Sequence, residues 1–96
     1  MLPVLIDAVR AKKAVSFIYR GTRRTVEPHA VGVGHDGGTW LSGFQTAGRS
    51  VIPGHDWLYC EVDAVESLEV VPIRFLRTRP GYSREDSRFM RFYAAL

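Results

Sequence analysis

The chain has 96 residues, 46% hydrophobic and 24% charged, with a formal net charge of +3. A chain of that length buries roughly 60–70% of its extended surface, which allows one modest core and excludes two. Its apolar runs are far too short to cross a bilayer, its N-terminus lacks the basic lead of a signal peptide, and the lone Cys60 excludes an internal disulfide framework, so a cytoplasmic protein without membrane contact is expected.

Residues 2–13 read as a short helix. Pro3 suits the first turn, Leu2, Leu5, Ile6 and Val9 recur at helical spacing, and Arg10, Lys12 and Lys13 lie where cations favour the helix dipole. The period then changes to two. Val15, Phe17 and Tyr19 share one face of a strand, and Ser16, Ile18 and Arg20 share the other. A turn at Gly21-Thr22 leads into a long second strand over 23–34, bent at Pro28 because proline cannot donate to a ladder. The turn His35-Asp36-Gly37-Gly38 precedes a third strand over 39–45, with Trp40 and Phe44 on one face. Residues 50–56 read as a loop, 57–62 as a fourth strand, 63–66 as one helical turn, and 67–72 as a fifth strand with Leu68 and Val70 toward the core. Short strands at this interval suggest a small barrel, closed to protect its edges.

From Arg77 the composition changes. Arg79-Pro80-Gly81 breaks the sheet, and Ser83-Arg84-Glu85-Asp86 resembles a capping box ahead of Phe89, Met90, Phe92 and Tyr93. Residues 78–96 are therefore expected as a C-terminal helical tail on a domain spanning 1–77. The tail packs back on the barrel or docks on a partner.

Charge is distributed unevenly. Residues 1–24 carry six Lys/Arg against Asp7, residues 25–73 carry Arg49 against seven acids, and residues 74–96 carry six Arg against Glu85 and Asp86. Basic ends around an acidic centre suit either an anionic partner or simple self-complementarity.

No motif offers catalysis. Gly32-Val33-Gly34-His35-Asp36-Gly37 fits a G-x-G-x-x-G pattern, but a dinucleotide site needs a helix next, and Thr39-Trp40-Leu41 reads as strand. Gly34-His35-Asp36 recurs as Gly54-His55-Asp56, a pattern better explained by turns than by a metal site. Cys60, inside a strand, reads as a small buried hydrophobe. His29 either faces a pocket or hydrogen-bonds within the sheet wall. Arg20, Arg23, Arg24 and Arg49 are the candidate anion binders, because a guanidinium donates two parallel bonds to phosphate. Tyr19, Trp40 and Trp57 could offer stacking faces. Alternatively, Trp40 fills the core and the arginines are solvated turn residues.

The segments 6–10, 15–20, 25–29, 38–43 and 62–70 resemble, in order and spacing, the WYL domain family. The stretch Tyr19-Arg20-Gly21 through Arg24-Thr25-Val26-Glu27-Pro28-His29-Ala30-Val31 is the most specific part. The resemblance implies a mainly β fold, an Sm-like or SH3-type barrel of about five strands entered from the N-terminal helix. It also implies a regulatory sensing role in bacteria, tied to transcription regulation, with a negatively charged ligand. The eponymous tripeptide here reads Trp40-Leu41-Ser42, and 58–65 lacks the arginines of the family's late strand. The expectation is a stand-alone, non-enzymatic module without cofactor or metal. It would capture a nucleotide or single-stranded nucleic acid through Tyr19, Arg20, Arg23, Arg24, His29, Trp40 and Arg49. The alternative is an oligomerisation or protein-interaction module, a homodimer or the companion of a regulatory protein, with no small-ligand pocket.

Overall fold

A computed structural model describes residues 1–48 and 56–96. The chain runs α1 (Leu2–Ala11), β1 (Lys13–Tyr19), β2 (Thr22–Gly34), β3 (Thr39–Ala47), β4 (Trp57–Glu61), a 3-10 turn (Val62–Ala64), β5 (Glu66–Arg74) and β6 (Phe89–Ala95). It is mainly β with one N-terminal helix. The strands form a six-stranded antiparallel sheet in the order β4-β3-β2-β1-β5, with β6 added to β2. Among the described residues this path stays open, ending at β4 and β5, so the expected closure into a barrel is not made.

Strand β2 organises the sheet. One edge of it pairs with β3 from Thr25 to Val33. The other edge serves two partners in turn, β1 along 22–26 and β6 along 30–34. The exchange happens at Glu27-Pro28-His29, where proline has no N–H to give. A bulge lies at the same place: Pro28 faces Gly43 and Ala30 faces Ser42, so His29 is the extra residue. A bulge bends a strand and shifts its side-chain alternation. Hence Val26 and Val31, five positions apart, both enter the core.

The core is Leu5 and Val9 of α1, Val15, Phe17 and Tyr19 of β1, Val26 and Val31 of β2, Leu41 of β3, Cys60 of β4, and Val62 and Val65. The helical stripe behaves as expected, with Leu2 and Ile6 flanking the fully buried Leu5 and Val9. Lys12 ends α1 in the left-handed region, φ 52°, and its carbonyl accepts the Phe75 N–H, fastening the helix end to the segment that follows β5.

Two further expectations are corrected. The tail is not a helix but strand β6. Ser83 and Asp86, read as a helix cap, instead accept the Glu85 and Arg88 amides and form two turns. Past Pro28, β2 would otherwise expose a row of unpaired backbone groups, and the aromatic-rich 89–95 segment satisfies them as a strand. The other correction concerns β5. Leu68 packs on the core, but Val70 is 42% exposed. β5 carries two register breaks against β1, and Ser67 sits at φ 52°, so strict alternation fails.

The β2–β6 approach depends on Gly32. A Cβ there would run into the Arg91 carbonyl oxygen and lie 2.9 Å from the Phe92 Cα. Gly32→Ala should cost on the order of 2–3 kcal/mol, because backbone cannot yield as a side-chain tip would. Denaturant unfolding and amide exchange check this. Loss of protection should concentrate in β6 and spare the β1–β2 hairpin.

Candidate functional site

The β1–β2 turn is Arg20-Gly21, one residue earlier than the sequence suggests. Both residues have positive φ, 51° and 73°, the pattern of the two-residue turn that matches strand twist. Asn or Gly is usual at the first of these positions, so Arg20 stands there against local preference.

Tyr19 is the hub at this end. It is 5% exposed, with the guanidinium carbons of Arg20 and Arg24 at 5.3 and 5.7 Å from the ring centroid. Arg24 also donates to the Tyr19 carbonyl at 3.3 Å and to Gln45 Oε1 at 3.1 Å. Neither Arg20 nor Arg24 is ion-paired among the described residues. Both charges reach Cys60. Burial pushes its thiol up to about 12, with Arg24 and Arg20 opposing, so Cys60 stays protonated.

The other predicted residues go elsewhere. Arg23 pairs in register with Ile18, on the opposite face from Arg24. It donates to Ser16 Oγ at 2.9 Å and lies 3.5 Å from the Glu69 carboxylate. Trp40 lies opposite Gly32, at the far end of β2. Its indole stacks on Tyr59 at 4.5 Å and 7°, and donates to Asp36 Oδ1 at 2.9 Å. A Cβ on Gly34 would meet that indole at 2.5 Å, so Trp40 is enclosed by its own hairpin. Asp36, held below the usual carboxylate range by the Trp40 bond and then by the Gly38 amide, is a turn residue. His35 engages the Ser87 carbonyl at 2.7 Å. Arg49, His55 and most of the second Gly-His-Asp tripeptide lie outside the described residues.

His29 belongs to a third place. Its ring is completely buried, stacked on Phe75 at 5.3 Å and 16°, with Trp57 edge-on at 4.9 Å and Tyr82 at 5.2 Å. Nδ1 lies 2.8 Å from the Glu27 carbonyl, and the Arg79 backbone N–H donates to Nε2 at 3.0 Å. The carbonyl can only accept and the amide can only donate, which fixes the neutral ring with its proton on Nδ1. Arg79 then reaches across with its side chain. It donates to both oxygens of Glu27 at 2.7 and 3.1 Å and covers the Phe44 ring at 4.7 Å. The Glu27 side chain is only 9% exposed. Sequence reasoning singles out His29 but misses Glu27, Phe75, Arg79 and Tyr82. Glu27-Pro28-His29 is visible as a unit, but its partners lie about fifty residues on.

The structure thus brings Tyr19, Arg20 and Arg24 together and sends Arg23, His29 and Trp40 to three separate surroundings. No group of three or more metal-ligating side chains occurs among the described residues, and no helix among them is long and apolar enough to cross a membrane. Compared with known proteins, the chain matches no family model, no curated protein and no solved structure.

His29 gives a pH signature. Desolvation by burial lowers its pKa below the ordinary 6.5, outweighing the Glu27 carbonyl and carboxylate that favour the charged form, and Arg79 lowers it further. Well above 6.5 both folded and unfolded chains hold it neutral. Below 6.5 the unfolded chain binds a proton that the folded chain refuses, so stability falls as the pH drops. The decrease in Tm between pH 7.5 and 5.5 should be larger in the wild type than in His29→Gln. An equal decrease in both would remove His29 from the acid response.

Proposed function

We propose that the chain is a non-enzymatic, WYL-like regulatory binding module of the cytoplasm that captures an anionic ligand, a nucleotide or single-stranded nucleic acid, at the Tyr19 end. The observation that carries this reading is the convergence of two guanidinium groups, neither paired with a carboxylate among the described residues, on one aromatic hub. An arginine packed on a tyrosine can donate two bonds to a phosphate, while the buried Tyr19 ring holds the guanidinium in place. Arg24 projects from a sheet, where less freedom is given up on binding than on a loose loop. The bent β2, shared by β1 and β6 on one edge, is the feature that the Sm-like or SH3-type architecture implied by the resemblance would need.

Assembly as the main role has less support. The tail aromatic Phe89 is buried, and the outer strand β5 is blunted by two register breaks, Pro72, Glu66 and Glu69.

The test is fluorescence anisotropy with a short single-stranded oligonucleotide at two salt concentrations. Arg20→Ala with Arg24→Ala should weaken binding at least about tenfold, the equivalent of one charge-assisted hydrogen bond. The double change should also flatten the salt dependence, by about 0.7 for each phosphate no longer engaged. Arg23→Ala, on the other face and held by Ser16 and Glu69, should change affinity at most about threefold by the same reckoning. Equal affinity in the double variant and the wild type would refute the site.

A further inference from the structure

A second cationic concavity lies at the other end of β1 from the Tyr19 hub. A cleft of about 610 Å³ opens between Glu27 and the segment 74–80 at the end of β5 and beyond it. That is within the range of about 300–1,000 Å³ usual for small-molecule sites. Its charged lining is Arg74, Arg77, Arg79 and Glu27. Glu27 and Arg79 satisfy each other through their two-bond ion pair. Arg74 and Arg77 are exposed, and no ion pair joins either to a carboxylate among the described residues.

The neighbourhood adds charge of the same sign. Lys13 stands directly opposite Arg74 in the β1–β5 ladder. Like charges directly opposite each other in such a pair oppose folding. The cleft also has an apolar component that the fold does not explain. Leu76, in its lining, is 86% exposed, and Ile73, just before it, is 57% exposed. Along 73–77 the order is Ile, Arg, Phe, Leu, Arg, and only Phe75 turns in, to stack on His29. Phe75 also lines the cleft, but it is 7% exposed with its ring stacked on His29, so what the segment presents outward is mainly aliphatic and cationic.

We propose that this cleft binds an amphiphilic anion. A phosphate or carboxylate head would sit on Arg74 and Arg77, and an aliphatic chain would lie along Leu76 and Pro80. Arg79, fixed by Glu27 and by its backbone bond to His29, forms with Glu27 a charge-neutral back wall, so the free positive charge of the cleft is that of Arg74 and Arg77. The site shares no residue with the Tyr19 hub. Its anion is distinguished from a nucleotide by the aliphatic portion.

Calorimetric titration of the full chain with octyl phosphate below its micellar concentration tests this, with inorganic phosphate and octyl glucoside as head-only and chain-only controls. Octyl phosphate should bind at least about tenfold tighter than inorganic phosphate, since burying even a few methylenes exceeds that factor. Octyl glucoside should not bind. Arg74→Ala with Arg77→Ala should weaken octyl phosphate at least about tenfold. Leu76→Ser should bring octyl phosphate to within about threefold of inorganic phosphate, because Leu76 supplies most of the aliphatic surface and only Pro80 remains. All three side chains are exposed and Arg74 faces a like charge, so no variant should lower Tm. Arg20→Ala with Arg24→Ala should leave octyl phosphate binding intact, which separates this site from the hub. Co-sedimentation with phosphatidylglycerol vesicles identifies the source of the anion: retention abolished by the Arg74/Arg77 changes indicates a lipid headgroup, and absence of retention indicates a soluble amphiphile. No binding of octyl phosphate, no preference over inorganic phosphate, or indifference to Arg74 and Arg77 would each overturn the proposal.

Discussion

The architecture turns on a missing hydrogen-bond donor. Pro28 interrupts the ladder of β2, and the strand that pairs with it changes there from β1 to β6. A backbone interruption inside a sheet leaves polar groups that need partners. Here the neighbouring residues supply them. The His29 ring donates to the Glu27 carbonyl, the Leu96 amide donates to the His29 carbonyl, and the Arg79 amide donates to the other ring nitrogen. The bulge that relieves the interruption also turns His29 inward, so one local defect creates the socket into which the chain after β5 is plugged.

That socket explains how a small open sheet holds the chain that follows β5. The segment between β5 and β6 has no regular structure, yet it is fastened at several points. Phe75 and Tyr82 pack on His29, Arg79 pairs with Glu27, and the Trp57 indole donates to the Pro80 carbonyl. Farther along, Arg88 is held by Asp86 and lies 4.2 Å from the centroid of the Tyr59 ring. These are contacts of β2 and β4 with a strap, and they deliver β6 to the edge of β2 that β1 leaves uncovered. Because Glu27 is nearly buried, its pairing with Arg79 matters more than an exposed ion pair such as Arg23 with Glu69.

The same arrangement divides the cations. The hairpin turn sets Arg20 and Arg24 against Tyr19, while the pleat sends Arg23 to the other face. At the opposite end of β1, Arg74, which faces Lys13 from the end of β5, and Arg77 of the strap are both exposed. The even-looking run Arg20 to Arg24 is thus not one patch. Two cationic surfaces, separated by the length of a strand, replace the single cluster that the linear sequence suggests.

Local chemistry was legible in the sequence because it acts over a few residues. The helix came from a stripe of period 3.6, the first three strands and their turns came from period two and from glycine, and the bend came from proline's missing N–H. The identity of 89–95 was not legible. Phe89, Met90, Phe92 and Tyr93 suit a helix as well as a strand, and what decides between them is an edge of β2 more than fifty residues earlier, left open beyond Pro28. The separation of Trp40 from Tyr19 was likewise a matter of distance along β2, and the partners of His29 were set by the path of the strap. Sequence sets backbone preference within a turn or a strand, whereas the meeting of remote segments is decided by which unpaired backbone and unfilled apolar surface remain once those local elements have formed.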